Sequence, residues 1–208
     1  MMVVLVFPSC PMAAEPLEDL LQPEMLISNI EREVTKFGRQ LDRVRLETQV
    51  QVGSPLLEQW LIKSQHRSSE GSRAIPENIA LLLRGFYPDD LLDAVKFKVG
   101  DPGPFNLSRL SIHYGGAQAV TLIDIVVFKS ADDAYKNAGL WAHELHHVQQ
   151  FAEWGVRDFS ARYMRDWYAV EHAAYERQGE YLTWQRARRN NEAARLAAQR
   201  AAAGSRSR

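Results

Sequence analysis

Two histidines and a glutamate stand at a spacing that suits metal-assisted hydrolysis. The stretch His143-Glu144-Leu145-His146-His147 contains the pattern HExxH. In an α-helix, His143 and His147 are one turn apart and project about 40° from each other. Glu144 projects about 60° from His147, within reach of a water on a metal that both imidazoles bind. Two histidine ligands beside a glutamate that acts as general base form a hydrolytic zinc site.

The residues around this motif predict a strand followed by a helix. Residues 119–128 are apolar and rich in β-branched side chains, which is typical of a strand. Ser130 is placed to cap a helix whose apolar residues recur at helical spacing through Phe151, and Gly155 is placed to end it. This order favours a metal site over the alternative, a surface helix with solvated histidines.

A tetrahedral zinc site needs a third protein ligand. One zinc-site pattern places a glycine three residues, and a ligand histidine six residues, after the second histidine of HExxH. Here those positions hold Gln150, which we place on the helix flank, and Glu153, so this pattern is excluded. A glutamate on the following helix is the other common solution. Glu171 is flanked by apolar residues and is predicted to face packed surface, so we predict it as the third ligand. Glu176 is the alternative.

These residues resemble a known family. Residues 141–151, followed by Glu171-x-x-Ala-Tyr175, are similar to bacterial zincin-like domains with a "HELxHxxQ" helix. That family is chiefly one of unknown function, and it occurs in secreted metallopeptidases and near extracellular contractile injection systems. The resemblance extends over residues 74–183 and is strongest over 119–176.

The resemblance implies a fold and a set of site residues. The fold is α+β and gluzincin-type: a short antiparallel or mixed sheet, an active-site helix, a following ligand helix and N-terminal helices. The implied ligands of one Zn²⁺ are His143, His147 and Glu171, with Glu144 as catalytic base. The adjacent imidazole of His146 leaves a His143–His146 pair as an alternative.

Three tyrosines near the third ligand are further candidates for catalysis. Tyr163, Tyr168 and Tyr175 could each donate a hydrogen bond to the oxyanion of a tetrahedral intermediate. Aromatic packing between helices is the alternative for each of them. Tyr168 is the best candidate because it precedes Glu171 by about one turn. Asp124 interrupts the predicted strand and either orients a ligand histidine or faces solvent.

The sequence before this region predicts helices. A first helix spans 23–38 and either covers the active site as a prosegment or packs on the domain. Ser54 and Pro55 are placed to begin a second helix, and residues 64–73 read as a polar linker. The remaining predicted elements are a helix over 75–85 and strands over 95–99 and 110–114.

Length and composition are those of a globular protein with one main domain. The chain has 208 residues, of which 46% are hydrophobic and 25% charged, and its formal net charge is −1. This charge argues against a general nucleic-acid binder. The single cysteine excludes an internal disulfide. No segment approaches the roughly 18 apolar residues of a membrane span.

The first residues favour export. Residues 1–14 are apolar and end in Met-Ala-Ala before Glu15, a small-residue cleavage pattern, although a basic start is missing. We therefore expect a periplasmic or secreted protein, or a cytoplasmic one if 1–14 is not a signal peptide. The other expected regions are a helical region and linker (15–73), a zincin-like catalytic domain (74–184) and an Arg/Ala-rich tail (185–208).

These patterns predict a zinc-dependent metallopeptidase that acts on a peptide or protein substrate. The alternative is an inactive interaction module with a zincin fold, associated with a secretion or toxin system. The substrate sequence, the physiological role and the oligomeric state are not predicted.

Overall fold

The computed structural model describes residues 23–100 and 118–205, and for most helical residues before Leu46 it describes the backbone alone. The predicted signal peptide at 1–14 and the predicted strand at 110–114 lie outside the described residues.

Contacts divide the chain into two compact units, Met1–Leu46 and Glu47–Arg208. The sheet and the candidate site belong to the second unit. The described residues form five helices and four strands. In chain order they are α1 (Pro23–Ser69), β1 (Arg73–Ala74), α2 (Glu77–Leu83), α3 (Asp89–Ala94), β2 (Lys96–Val99), β3 (Ala119–Leu122), β4 (Ile125–Phe128), α4 (Ala131–Lys136) and α5 (Ala138–Ser205).

The four strands form one mixed sheet in the order β1-β2-β4-β3. Strands β2 and β4 are parallel, and the outer pairs are antiparallel. Strand β4 is buried along its length because both faces of the sheet are covered. Its successive residues point to opposite faces. Val126 and Phe128 pack in one apolar cluster, and Ile125 and Val127 pack in another. The predicted α+β architecture with a small mixed sheet is confirmed.

Residues 119–128 are a hairpin, and the prediction of a single strand there was wrong. Strands β3 and β4 are joined by a turn at Ile123 and Asp124, and Ile123 has φ 65°. A β-branched residue rarely adopts this conformation. The Asn or Gly that usually marks such a turn is absent from this position, so the sequence did not predict it. Asp124 accepts a hydrogen bond of 2.9 Å from Gln65 Nε2, which links the turn to α1.

Helix α1 continues through the point where a second helix was predicted to begin. Pro55 lies inside the helix, and Ser54 Oγ donates a hydrogen bond of 2.6 Å to the Val50 carbonyl. Gly53 permits a close approach to α5, because a Cβ there would lie 2.5 Å from Met164 Cε. The prediction of a helix start at this Gly-Ser-Pro sequence was therefore wrong, since these residues serve packing.

The second half of α1 also replaces most of the predicted polar linker. The helix extends to Ser69, whereas 64–73 was predicted to be a linker. Trp60 and Leu61 are buried in the same cluster as residues of β3 and β4. Burial of this apolar face stabilises the helix, and such tertiary contacts override local sequence preference.

Helix α5 changes direction at two residues with non-helical backbone, Gly155 (φ 75°, ψ 162°) and Asp166 (φ −153°, ψ 76°). It therefore consists of a first segment (138–154), a middle segment (156–165) and a last segment (167–205). Asp166 Oδ1 accepts a hydrogen bond of 3.0 Å from Ala169 N and so caps the last segment. The predicted break at Gly155 is confirmed.

The start of the predicted metal-site helix is divided in two. Ser130 caps α4 by accepting a hydrogen bond of 3.1 Å from Asp133 N, as predicted. Helix α4 ends at Lys136, and Asn137 Oδ1 then accepts a hydrogen bond of 3.0 Å from Leu140 N at the start of α5.

Across the described residues, no helix has both the length and the apolar character that a membrane span requires.

Candidate metal centre

Three potential metal ligands from two segments of α5 converge on one point. His143 Nε2 and His147 Nε2 lie 3.2 Å apart. Glu171 Oε2 lies 3.3 Å from His143 Nε2 and 3.5 Å from His147 Nε2. The histidines belong to the first segment and Glu171 to the last, so the breaks at Gly155 and Asp166 bring the donors together. Both histidines are buried, and Glu171 is nearly so.

The three donor atoms fit a tetrahedral zinc ion. With bond lengths of 2.0–2.2 Å, two ligands of a tetrahedral zinc are separated by about 3.3–3.6 Å. The observed separations of 3.2, 3.3 and 3.5 Å are close to this range. Two imidazoles and one carboxylate are also a donor set that zinc uses in catalytic sites, where a fourth position is open.

Gln150 orients one of the two histidines, and its burial corrects the prediction that it lies on the helix flank. Its side chain is only 2% exposed. Gln150 Nε2 donates a hydrogen bond of 3.2 Å to the Val170 carbonyl. Its Oε1 lies 2.8 Å from His147 Nδ1 and can only accept, so Nδ1 carries the proton. That tautomer leaves the lone pair of His147 Nε2 directed at the cluster.

The charges in the cluster favour a bound cation. Burial raises the pKa of Glu171, but hydrogen bonds from His143 and His147, together with their charge, lower that pKa to about 2. Burial lowers the pKa of His147, but the hydrogen bond to Glu171 and the charges of Glu171 and Glu144 raise it above its ordinary value. The environment that stabilises a charged imidazole also stabilises a metal ion in its place.

Glu144 is buried beside the donors and bonded to the sheet. Thr121 Oγ1, on β3, lies 2.7 Å from Glu144 Oε2 and 3.1 Å from the Glu144 carbonyl oxygen. The carboxylate is acceptor-only when ionised, so the hydroxyl donates. Thr121 was not among the predicted site residues. The available signal was a hydroxyl residue within an otherwise apolar strand.

Glu176, the alternative third ligand, and Glu180, which follows it on the same segment, face other partners. Glu176 Oε2 lies 3.5 Å from His172 Nδ1, and Glu180 accepts a hydrogen bond of 2.7 Å from Arg177. His146 does not belong to the donor cluster. Burial, followed by the charges of His147 and Arg177, lowers the pKa of His146.

A family model covers part of the chain. Residues 74–155 match the eCIS core domain. No curated protein and no solved structure matches this chain. The match agrees with the resemblance to domains found near extracellular contractile injection systems. It includes the HExxH residues and ends before Glu171, so the third donor comes from outside the matched region.

Another candidate tyrosine, Tyr175, contacts a donor histidine, whereas the predicted catalytic tyrosine, Tyr168, packs on other residues. Tyr168 is 63% exposed, and its ring packs on Trp167 and His172. The Tyr175 ring centroid lies 4.4 Å from that of His143. Burial, Glu171 and Glu144 together raise the pKa of Tyr175. A catalytic role for Tyr168 stays a prediction, and contact favours Tyr175.

Proposed function

We propose that this chain is a zinc-dependent metallopeptidase. The observation that carries the proposal is the convergence of His143 Nε2, His147 Nε2 and Glu171 Oε2. Their separations suit one tetrahedral zinc ion with a fourth position left for water or substrate. The same observation supports a zincin-like identity for the fold.

The side chains around the donors supply the remaining chemistry. When bound, zinc polarises a peptide carbonyl and lowers the pKa of a water molecule. Glu144 accepts the proton of that water and transfers it to the leaving amine. The charge of Glu144 acts on both His147 and Tyr175, which supports a position beside the reacting groups.

The sheet offers a place for an extended peptide. In the described part of the sheet, β3 is one of the two edge strands, and Thr121 of β3 contacts Glu144. The outer peptide groups of an edge strand can pair with an added strand. A peptide bound there would lie along the edge next to the proposed base, which supports a peptide as substrate.

Cleavage of peptides by the zinc-loaded full chain tests this function. A mixed peptide library should be cleaved by the wild-type protein, and Glu144→Gln should lower the rate at least about 10²-fold because the general base is lost. Glu144→Gln should retain its zinc. Glu153→Gln, an exposed glutamate in the same segment, is the matched control and should keep its activity. Mass spectrometry of the products gives both rates.

An interaction module without turnover is the second candidate function. The match of residues 74–155 to the eCIS core domain favours it, since that description names an assembly and no reaction. A wild-type protein that binds zinc and cleaves no peptide or protein in a broad screen would support the module and contradict the peptidase.

A further inference from the structure

The contact between Thr121 and Glu144 joins the edge strand to the proposed catalytic helix. Thr121 pairs with Val126 across the hairpin, and Val126 belongs to the cluster that includes Leu145 of the first segment of α5. The Thr121 side chain is therefore on the sheet face against which the first segment of α5 packs, and it is buried. A hydroxyl at this position has no bulk water to bond, so its protein acceptors determine its orientation.

The carboxylate is the stronger of the two acceptors that Thr121 reaches. Glu144 Oε2 lies 2.7 Å from Thr121 Oγ1, and the carbonyl oxygen of Glu144 lies 3.1 Å away. Hydrogen bonds to ionised acceptors are shorter and about twice as strong as neutral ones. Among the described residues, no other hydrogen bond to the Glu144 carboxylate is present. Oε2 is thus bonded to the strand, while Oε1 has no donor within the described ranges 23–100 and 118–205.

We propose that Thr121 is a positioning residue that holds Glu144 Oε2 so that Oε1 is the atom that accepts the proton of water. This inference rests on the proposed peptidase function. The fixed strand and the fixed helix determine the direction of the carboxylate plane before substrate binds. Without the hydroxyl, the carboxylate can rotate about its side-chain bonds and spends less time in the productive orientation.

Kinetics of two Thr121 variants test the positioning role. Thr121→Val keeps the branched shape and removes the hydroxyl, and it should lower kcat about 10- to 10²-fold, the scale of a misplaced catalytic group. KM and zinc content should stay near the wild-type values. Thr121→Ser restores the hydroxyl and should recover most of kcat. Thr183→Val removes an exposed threonine hydroxyl of α5 and should change none of these quantities.

A merely structural role would give a different kinetic pattern. Thr121→Val with kcat within about twofold of wild type would overturn the proposal, because a mispositioned base must slow the chemical step. A Ser variant as impaired as the Val variant would also overturn it. That result would show that the methyl group, and not the hydroxyl, is what matters at this position.

A double-mutant cycle on metal-free protein tests the contact without any activity. Thr121→Val should lower the folding equilibrium constant about tenfold, because a buried acceptor loses its partner. In a Glu144→Met background the acceptor is absent, and the same change should have a clearly smaller effect. Additive effects would overturn the contact whatever the activity. A wild-type protein that cleaves nothing while the cycle shows coupling would overturn the peptidase function and leave the contact established.

Discussion

At the scale of single residues, the amide of Gln150 connects both parts of the candidate metal centre. Its oxygen accepts a hydrogen bond from His147 Nδ1, and its nitrogen donates one to the Val170 carbonyl in the segment that carries Glu171. Such partners of metal ligands fix ring orientation, and their loss typically costs 10- to 100-fold in metal affinity, about 1–3 kcal/mol. Gln150 also lines a cleft of about 880 Å³ between the segments of α5.

Gln150→Leu should therefore weaken zinc binding about 10- to 100-fold, because His147 loses the acceptor that sets its tautomer. Competition with a chelator of known zinc affinity measures this change. Gln149→Leu is the matched control. Gln149 is the adjacent glutamine and, among the described side chains, forms no hydrogen bond to a proposed metal ligand. Equal zinc affinity of the Gln150 variant and the wild type would contradict this role.

The donor residues could be predicted from sequence, but the residues that hold them could not. His143, Glu144 and His147 follow from a spacing with a defined geometry on one helix, and Glu171 follows from its apolar flanks. Thr121 and Gln150 act through contacts with other elements, and residue type alone does not specify such contacts. Their role depends on which strand face and which helix lie opposite.

At the scale of elements, the backbone of Gly155 directs the chain toward the last segment of α5. Its φ of 75° with ψ of 162° is a conformation that only glycine adopts readily. The break at Gly155 was predictable because glycine is a common helix terminator. The β3–β4 turn was not predictable, because Ile123 gives no turn signal. The continuation of α1 through Pro55 was not predicted, because Ser54 and Pro55 are a strong local signal for the start of a helix. This continuation depends on the burial of Trp60.

Substitution of two α5 glycines should give opposite results. Gly155→Ala forces a side chain into a strained backbone conformation and should lower the free energy of unfolding by about 1–3 kcal/mol. Gly179→Ala lies within the last helical segment with open space around it, and should raise that free energy by about 0.5–1 kcal/mol. Urea unfolding of both variants measures the difference. A Gly155 variant as stable as wild type would show that the break does not need glycine.

At the scale of the whole second unit, both faces of the sheet are covered, and Tyr87 is one of the residues that hold the layers together. Its hydroxyl is buried and donates a hydrogen bond of 2.7 Å to the Ala142 carbonyl, directly before the HExxH motif. Arg177 of the last segment lies over the Tyr87 ring at 5.2 Å. Burial raises the pKa of Tyr87 to about 12, although Arg177 acts in the opposite direction.

Stability should therefore fall at high pH in a way that depends on Tyr87. An unfolded tyrosine ionises near pH 10, so between about pH 10 and 12 the unfolded chain loses a proton that folded Tyr87 retains. The free energy of unfolding should decrease over this window by up to about 2–3 kcal/mol, and below pH 10 Tyr87 should add nothing to its pH dependence. Tyr87→Phe removes the ionisable group, so its stability should fall less steeply. Urea unfolding from pH 8 to 11 compares the two, and identical slopes would contradict the prediction.

The zinc content of the purified chain tests the central claim most directly. After incubation with zinc and removal of excess metal, elemental analysis should find close to one zinc per wild-type chain. His143→Ala, His147→Ala and Glu171→Gln should each lose most of it, because three donors are needed to hold the ion. His172→Ala and Glu176→Gln, in which a nearby ion pair is removed instead, should keep it. A wild-type chain without zinc, or full zinc in both the His143 and His147 variants, would contradict the account.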